Sequence, residues 1–460
     1  MRGSSLLGVS LLAGVLFACK PSGPEQPWKP GMVYATPRDM SARGLLDRRG
    51  LIHAHSVYSH DACDDEPVKN GVRDPVCFDD FRRGLCQVQH DFVMLTDHRD
   101  AFTQTEFPDS LLYRADRGDQ LVERNGKPVA SFAACPDGSR ALIMAGAEAG
   151  TMPVGLEGHV DGDRGDIYGR QDDEAIAALK AQGAVVLMAH TEAWKADQLA
   201  ELPLDGFEMY NLHANSFASA GVLLELLLLN SEDPSQLPEP DLIVLPMWTE
   251  APAYTTTWGR ILSKGLKRVT TMGTDCHRNS FPALLKDGER GDSYRRMMIW
   301  FSNHLLIRPN ADGAWDDLQL KEALKGGRLY GAFEIVGYPV GFDSYAEVGD
   351  RVAEMGEEIS AAERPTLVVK KPAIQDLDPE AKAPELTLRI LRATAEGWVE
   401  VAATRDPEAE ELRAEVTEPG AYRAEVRMVP HHLSGQLGKY GPEVLARDLV
   451  WIYANPIYVR

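Results

Sequence analysis

Residues 50–63 read GLIHAHSVYSHDAC and place three histidines and one aspartate within nine positions, directly after a short apolar run. Such a run predicts a buried strand, and on a strand residues i and i+2 share one face. Both imidazoles of the pair His53 and His55 are therefore expected to point to the same side. Neutral imidazole with carboxylate is the ligand set that zinc, iron and manganese take. The stretch predicts a metal site at the end of an early strand.

Further apolar runs of strand length alternate with helix-like segments from about residue 50 to about residue 335. This β/α succession predicts a parallel sheet, and its order predicts a TIM-like barrel whose chemistry gathers at the carboxyl ends of the strands. Helices are expected in DDEAIAALKAQG, residues 172–183, and in ASAGVLLELLLLN, residues 218–230. The strand candidates are DFVMLTDH at 91–98, ALIMAGAEAG at 141–150, AVVLMAH at 184–190, DGFEMYN at 205–211, LIVLPMW at 242–248 and RVTTMGTDCH at 268–277.

Side chains of ligand type fall where these candidate strands end. Asp275 and His277 repeat the i, i+2 spacing of the first pair on the last candidate strand. A lone histidine at a strand end is more often a packed residue than a ligand, but two such pairs with further ligand types at equivalent places favour a metal site. The further residues are His98, Glu148 and His190.

Six short motifs occur in one order along the chain: HAH, LTDH, GAE, GHV, LMAH and GTDCH. With this ordered set the chain resembles the PHP (polymerase and histidinol phosphatase) superfamily of metallohydrolases. The resemblance covers roughly residues 45 to 335 and implies a distorted β/α barrel over residues 45–340. The closing WIYANPIYVR, residues 451–460, resembles the C-terminus of the carbaryl-hydrolase-like branch of that superfamily.

The resemblance further implies a trinuclear centre with two to three divalent transition metals, which would be zinc, manganese or iron. Glu148, Asp275 and His190 would be the catalytic residues. One ligand of the third metal should lie five or six positions past the HxH motif, so His60 and Asp61 both qualify, and His60 is preferred because imidazole suits the site. The implied ligands are His53, His55, Glu148 and Asp275 for the first metal, Glu148 as a bridge with His159 and His190 for the second, and His98 and His277 with His60 or Asp61 for the third.

Other polar residues near the motifs have more than one interpretation each. Arg99 and Arg278 each follow a ligand and would bind an anionic substrate oxygen or pair with nearby carboxylates. Glu208 would orient a ligand, contact substrate or be a plain surface carboxylate. Asp97 is expected to face away from His98 and to have a supporting or structural role rather than to bind a metal. The histidines that fit no motif are interpreted as surface or packing residues: His90, His213, His304, His431 and His432.

The implied function is a metal-dependent hydrolase, and a phosphoesterase first, in which a metal-activated hydroxide attacks a small-molecule ester. An aryl ester or carbamate hydrolase of the same fold is one alternative. A catalytically silent metal-binding protein of the cell envelope, whose C-terminal region binds a partner, is another. An amidohydrolase-type barrel also opens with HxH, but the TDH and D-x-H motifs argue against it. A Ser-His-Asp triad is not expected, since no G-x-S-x-G elbow is present.

The first residues contain a single Arg and an apolar stretch, and Leu16, Phe17, Ala18 and Cys19 resemble the lipobox of bacterial lipoproteins. This resemblance implies a cleaved signal peptide over residues 1–18 and a lipid on Cys19. A Pro-rich tether over residues 19–44 and a location at the bacterial envelope, on the outer membrane or the periplasmic face, would follow. A secreted protein whose signal ends in cysteine is the alternative.

Export would permit disulfides, although the sequence leaves their connectivity open. Cys276 is expected to point away from its two ligand neighbours and to stay unpaired. The remaining candidates for disulfide bonds are Cys63, Cys77, Cys86 and Cys135.

Composition limits the partners and the number of domains. Asp and Glu outnumber Lys and Arg by 69 to 48, giving a formal charge of -21, and no basic run interleaved with aromatics occurs, so nucleic acid is not expected as a partner. At 460 residues the chain is long enough for two globular units. Beyond residue 340, β-rich stretches separated by Pro, Gly and charge predict a small antiparallel sandwich-like domain over residues 341–460.

Overall fold

The computed structural model describes residues 26–41, 43–250 and 252–460. The predicted signal peptide and Cys19 lie outside these residues, as does part of the predicted tether. Within the described ranges, no helix combines the length and the apolar composition that crossing a bilayer requires. The fold is a mixed α/β arrangement in which a large mixed sheet is accompanied by smaller sheets and helices.

The elements between residues 46 and 332 carry the predicted metal ligands. The strands are β1 Leu46–Ile52, β2 Val68–Lys69, β3 Val72–Arg73, β4 Phe92–Met94, β5 Asp97–His98, β6 Gln120–Arg124, β7 Lys127–Ala134, β8 Arg140–Glu148, β9 Met152–Leu156, β10 Val185–Leu187, β11 Gly206–Asn211, β12 Val269–Gly273, β13 Ser302–Ile307 and β14 Leu329–Ala332. The helices are α1 Pro75–Gln87, α2 Arg99–Phe102, α3 Arg164–Gly169, α4 Asp173–Ala181, α5 Ala196–Glu201, α6 Leu212–Ala218, α7 Ala220–Glu232, α8 Pro252–Ser263, α9 Tyr294–Met298 and α10 Asp317–Gly326.

The rest of the chain is mostly strand. Its elements are β15 Pro339–Val340, β16 Asp343–Val348, β17 Arg351–Glu354, β18 Glu358–Ile359, β19 Thr366–Lys370, β20 Ala373–Ile374, β21 Glu385–Thr394, β22 Gly397–Thr404, β23 Glu411–Glu415, β24 Gly420–Val429, helix α11 Gly441–Val444, β25 Leu449–Ala454 and β26 Ile457–Val459.

The main sheet is mixed, so the predicted parallel pairing is present in only part of it. Strands β1, β4 and β8 are parallel neighbours, whereas β9 runs antiparallel to β8 and to β10. On its other side β1 pairs antiparallel with β13. The short connection between β8 and β9 explains part of the difference, because a hairpin joins antiparallel strands while a parallel pair needs a long crossover.

Strands β11 and β12 form a separate parallel pair that is hydrogen-bonded to the main sheet region on both sides. On one side, the Glu208 N–H donates to the Met188 carbonyl beyond β10 at 2.8 Å. On the other, the Asp275 N–H donates to the His53 carbonyl at 3.1 Å, and Ala54 forms a parallel bridge with Cys276. These bonds bring the chain after β12 against the chain after β1.

The segment LIVLPMW, residues 242–248, is not a strand as predicted. It contains two short 3-10 turns, at Pro240–Leu242 and Leu245–Met247. Pro240 and Pro246 lie in the first positions of these turns, and proline cannot donate a hydrogen bond to a sheet ladder. The segment is apolar because it is buried, although it forms no strand.

Both predicted helices are present. The segment at 172–183 forms α4, whose N-cap Asp172 accepts a hydrogen bond from the Ala175 N–H at 3.0 Å. Gly183 follows its end with a φ of 79°, a conformation that suits a residue without Cβ. The segment at 218–230 overlaps α7.

The β-rich stretches beyond residue 340 form strands, but a separate sandwich is not confirmed. Strand β25 pairs with β14, so β25, β24, β21 and β22 continue the sheet that contains β1. A second, four-stranded antiparallel sheet has the order β17-β16-β19-β23. The sheet that supports the predicted metal site therefore extends into the C-terminal part of the chain.

Four cysteines form two disulfides, Cys63–Cys77 and Cys86–Cys135. The first bond closes the polar insertion that follows the HAH segment and ties it to α1. Cys276 is buried and free, as predicted from its position between two ligand candidates.

A buried charged network supports β1 and β13. Arg49, on β1, donates from Nε to Glu334 Oε1 at 3.0 Å. His304, on β13, contacts Asp47 Oδ2 through Nδ1 at 2.9 Å and Glu334 Oε1 through Nε2 at 3.1 Å. Burial lowers the pKa of His304, but the two carboxylates outweigh burial and raise it to about 9. The imidazolium is therefore the form that this network stabilises.

The His304 network predicts a pH-dependent stability. A folded pKa of about 9 lies above that of a free imidazole. The protonated form thus contributes stability that is complete below about pH 6.5 and lost as the pH rises through about 9. Between pH 6 and pH 9.5, the urea midpoint of the wild type should fall more than that of His304→Gln, with His431→Gln behaving as wild type. An equal fall in wild type and His304→Gln would contradict this role.

Candidate metal centre

The predicted ligands lie at or just beyond the carboxyl ends of strands. The strand pairings described above bring these ends together from distant parts of the chain. His53 and His55 follow β1, His98 ends β5, Glu148 ends β8, His190 follows β10, and Asp275 and His277 follow β12.

Three of these residues have left-handed backbone conformations. The φ angles are 77° at His53, 50° at His190 and 52° at Asp275. Because β1 ends at Ile52, the pair His53 and His55 does not share a strand face in the way its spacing suggested. Non-glycine residues rarely adopt positive φ, and such residues are concentrated at functional sites. Turns just beyond the strands, rather than the strands themselves, direct these side chains inward.

A first group contains His53, Glu148, His190 and Asp275, whose ligand atoms all lie within 4.8 Å of one another. His190 Nε2 is 2.8 Å from Glu148 Oε1 and 3.4 Å from Asp275 Oδ2. His53 Nε2 is 3.2 Å from Asp275 Oδ1 and 3.7 Å from Glu148 Oε2. Two imidazoles and two carboxylates of this kind could hold a metal ion.

A second group contains His55, Asp61, His98 and His277, within the same mutual distance of 4.8 Å. Asp61 Oδ2 is 2.9 Å from His98 Nε2 and 3.1 Å from His277 Nε2. The rings of His55 and His277 stack with centroids 3.9 Å apart. Three imidazoles and one carboxylate form a second potential metal site.

The two groups form one continuous centre. His55 Nε2 lies 3.1 Å from Asp275 Oδ1, and His98 Nδ1 lies 3.3 Å from Glu148 Oε2. Glu148 and Asp275 therefore contact histidines of both groups. A carboxylate between two groups of imidazoles is suited to bridge two ions.

The hydrogen bonding of the centre fits a bound cation. Glu148 and Asp275 form ion pairs only with imidazoles in the described part of the chain. Native proteins seldom leave buried polar atoms unpaired, so a ligand is the natural explanation for unsatisfied ones. The buried atoms of the centre without a hydrogen-bond partner in the described chain are His53 Nε2, His55 Nε2, His277 Nε2, His277 Nδ1 and Asp275 Oδ1.

Glu208 orients His53 and does not face the open side of the centre. It is fully buried, and its Oε1 lies 2.8 Å from His53 Nδ1. Its Oε2 accepts hydrogen bonds from the Asn211 side chain at 3.1 Å and the His190 N–H at 3.3 Å. Its burial contradicts the interpretation as a surface carboxylate, and these contacts support the orienting role, because a carboxylate on the outer nitrogen fixes the ring and its tautomer.

Ser59 supports the second group in a similar way. Its hydroxyl donates to Asp61 Oδ1 at 2.9 Å and lies 3.1 Å from His55 Nδ1. The His98 N–H donates to the same hydroxyl oxygen at 3.1 Å. Since Ser59 is fully buried with its oxygen in these contacts, it holds ligands and is not placed as a nucleophile.

Without metal, the centre binds protons unevenly. Burial lowers the pKa of His190, but hydrogen bonds to Glu148 and Glu192 raise it to about 11. Burial and the neighbouring charge of His277 lower the pKa of His55 to about 3. Burial raises the pKa of Glu148, but the charge of His53 and the hydrogen bond of His190 hold it well below its usual range. A metal ion must displace some of these protons, so its affinity should rise with pH.

The preference for His60 over Asp61 does not agree with the structure. His60 is exposed and pairs with Asp100 at 2.9 Å, whereas Asp61 joins the second group. The turn after Ser59 points Asp61 inward, where it contacts Ser59 and His98, and points His60 outward to Asp100.

His159 also lies outside both groups, contrary to the expectation that it holds the second metal. Its Nε2 contacts the Thr105 carbonyl oxygen at 2.9 Å. Its ring packs against Phe102, Phe107 and Tyr168, at centroid distances of 4.8, 5.5 and 6.2 Å. An aromatic pocket, rather than the centre, surrounds this imidazole.

The two arginines do not reach the centre. Arg278 Nε lies 2.9 Å from Asp80 Oδ2, which matches the carboxylate pairing expected as one alternative. Arg99 is exposed and its guanidinium lies against Gly169 on α3. Asp97 faces away as predicted, and its carboxylate accepts hydrogen bonds from the Ser56 N–H and hydroxyl at 2.6 and 2.8 Å.

One histidine near the centre was missed by sequence reasoning. His213 lies on α6, two residues after β11, and its Nδ1 is 3.5 Å from Asp275 Oδ2. With Asp275 and His277 it forms a third group of ligand atoms within 4.8 Å. Its position directly after the strand DGFEMYN was the available signal, since other ligands follow strands in the same way.

Comparison of the chain with protein-family models, with curated proteins and with solved structures found no match.

The placement of Asp61 and His60 generates a matched test. Asp61→Asn should lower the zinc content per chain or weaken the last zinc bound by about tenfold or more, because it removes the one carboxylate of the second group. His60→Asn should leave zinc binding unchanged. Inductively coupled plasma mass spectrometry and chelator competition measure both. Zinc loss in His60→Asn with normal binding in Asp61→Asn would reverse the assignment.

Proposed function

We propose that this chain is a metal-dependent hydrolase of the PHP type that cleaves ester bonds, with phosphate esters as its first substrate class. The single observation that carries the proposal is the continuous centre in which Glu148 and Asp275 contact two groups of histidines. The ordered motifs in the sequence support the same family. The hydrogen bonds that join β11 and β12 to the chain beyond β10 and β1 support a distorted barrel as its fold.

We propose that the members of the two groups hold two to three divalent ions. Zinc, manganese or iron bound there would lower the pKa of water and neutralise charge on the attacked ester oxygen. Their number and identity are open to elemental analysis. The ligands are His53, His55, Asp61, His98, Glu148, His190, Asp275 and His277.

Exposure suggests how the chain's own residues would divide the work. His53, His55 and Asp275 are buried at the floor, whereas the side chain of His190 is 38 % exposed at the opening. His190 Nδ1 contacts Glu192 Oε1 at 3.2 Å, and Glu192 Oε2 accepts a hydrogen bond from Tyr254 at 2.6 Å. His190 is therefore held where it could contact a substrate or exchange a proton with it.

An aryl ester or carbamate substrate is the alternative within the same chemistry. Its sequence support comes from the closing residues 451–460, which form β25 and β26 and are buried except for the last residue. Trp451 donates its indole N–H to the Gly337 carbonyl at 2.9 Å, which is a packing contact. A resemblance in buried strands concerns the fold, so it does not favour a carbamate. A cationic centre favours the anionic phosphoryl group.

The test is activity profiling of the zinc- or manganese-loaded protein on phosphomonoester, phosphodiester, carboxylester and carbamate aryl substrates. We expect turnover on a phosphate ester. Asp275→Ala and His53→Ala should each lower it by several orders of magnitude, because each removes a proposed ligand. Ser59→Ala should retain most of the activity and His431→Gln all of it.

Two outcomes would contradict the proposal. Loss of activity in Ser59→Ala with retention in Asp275→Ala would indicate a serine nucleophile. A fully metal-loaded wild type that is inactive on all four ester classes would favour the metal-binding interaction protein.

We further propose that Cys19 carries a lipid that anchors the chain at a bacterial envelope membrane, on the outer membrane or facing the periplasm. Support comes from the lipobox-like residues that precede it and from the two disulfides, which are typical of oxidising compartments.

The anchor predicts a change in fractionation. Wild type expressed in a bacterium should stay with membranes after a high-salt wash, whereas Cys19→Ser should be released, since lipid insertion resists salt. Cys276→Ser serves as the matched control and should fractionate as wild type. Equal membrane association of wild type and Cys19→Ser would exclude the anchor.

A further inference from the structure

We propose that His213 is a metal ligand of this centre and supplies the imidazole that the sequence motif assigned to His159. The inference rests on the proposed metal-dependent function and changes its ligand set. His213 is the second imidazole on the Oδ2 side of the Asp275 carboxylate, next to His190. Its Nδ1 lies 3.5 Å from Asp275 Oδ2, and its ring centroid lies 5.0 Å from that of His277.

The contacts of His213 are compatible with metal binding through Nδ1. The Ser280 hydroxyl donates to Asn279 Oδ1 at 3.0 Å, so its oxygen is free to accept from His213 Nε2, also at 3.0 Å. With the proton on Nε2, the Nδ1 lone pair faces Asp275. A ligating imidazole usually has this arrangement, with its outer nitrogen donating to a polar group.

The same arrangement recurs in two other histidines of the centre, His53 and His190. His53 has Glu208 on its outer nitrogen, and His190 has Glu192. Each of these rings has its second nitrogen near a carboxylate of the centre. His213 therefore matches the proposed ligands in orientation as well as in position.

The two oxygens of the Asp275 carboxylate face different histidines. Oδ1 faces His53, His55 and His277 at 3.2, 3.1 and 3.5 Å. Oδ2 faces His190 at 3.4 Å and His213 at 3.5 Å. On the Oδ2 side, His190 and His213 are two imidazoles next to one carboxylate oxygen, which is a plausible set of ligands for one ion.

The backbone around His213 is held rigidly, as a ligand position requires. Asn211 is fully buried, and its Oδ1 accepts a hydrogen bond from the Ala214 N–H at 2.8 Å at the start of α6. Its Nδ2 donates to Glu208 Oε2 at 3.1 Å and to Asp275 Oδ2 at 3.2 Å. One amide thus fixes the first turn of α6 relative to the carboxylate that His213 faces.

His159 cannot take this role without leaving its pocket. Its Nε2 is bound to the Thr105 carbonyl, and three aromatic rings surround it. Burial lowers the pKa of His159, so a neutral ring suits this pocket. Of His159 and His213, only His213 has a nitrogen within 4 Å of a carboxylate of the centre in the described chain.

A matched pair of variants in the full chain tests the inference through metal binding alone. His213→Leu removes the ligand nitrogen and should bind at least one ion about tenfold more weakly or not at all. His159→Leu, in its apolar pocket, should match wild type. The probes are zinc content after reconstitution, competition with a chromophoric chelator, and the visible absorption of the cobalt(II) protein, which should change in His213→Leu only.

A second variant at the same position distinguishes loss of the metal-binding atom from misfolding. His213→Asp places a carboxylate oxygen at the distance from Cα where Nδ1 lies, so it should retain more zinc than His213→Leu. Wild-type zinc content and cobalt spectrum in His213→Leu, or zinc loss in His159→Leu alone, would overturn the inference. Failure of the proposed function appears differently, as a wild type that binds metal but hydrolyses no ester. A wild type that binds no metal at all would overturn both.

Discussion

The backbone bridge between Ala54 and Cys276 is the constraint on which the centre depends. The His55 N–H donates a hydrogen bond to the Cys276 carbonyl at 3.2 Å. The Thr274 hydroxyl donates one to the His53 carbonyl at 3.0 Å, so the two segments are joined across 221 residues of chain. This bridge sets the two i, i+2 pairs side by side. Because it consists of backbone and hydroxyl hydrogen bonds, the alignment does not need a metal ion to form.

The centre contains left-handed residues and closely spaced carboxylates, both of which cost free energy in the folded state. A non-glycine residue at positive φ costs about 1 to 3 kcal/mol, and His53, His190 and Asp275 all adopt that conformation. The Glu148 and Asp275 carboxylates also lie close together, within 4.8 Å. Both costs are tolerated because the surrounding sheet hydrogen bonds hold the turns, and an ion would offset the repulsion between Glu148 and Asp275. Any ion that binds only the folded state adds to its stability.

The sequence predicted the centre better than it predicted the sheet. Motif spacing predicted that His98, Glu148 and Asp275 lie together, and the structure brings them into one centre at the ends of strands. The spacing could not separate Asp61 from His60, since their directions depend on tertiary contacts: Asp61 pairs with His98 and His277, whereas His60 pairs with Asp100. The direction of several strands could not be predicted either, because the same apolar run can form a strand in a parallel or an antiparallel pair. His159 matched one of the motifs, but its ring packs against Phe102 and Phe107 and not in the centre.

The same limit applies to the division of labour within the centre. Residue types alone do not show which histidines of the centre are buried and which are accessible. In the structure, His53 and His55 are fully buried and form the floor, whereas His98 and His190 are partly exposed and form the rim. Buried imidazoles held by Glu208 and Ser59 lose little freedom on binding an ion, so the floor favours tight binding. Rim residues keep contact with solvent and can meet an incoming molecule. A centre graded in this way separates holding an ion from reaching a substrate, and that separation is what hydrolysis of an ester would require.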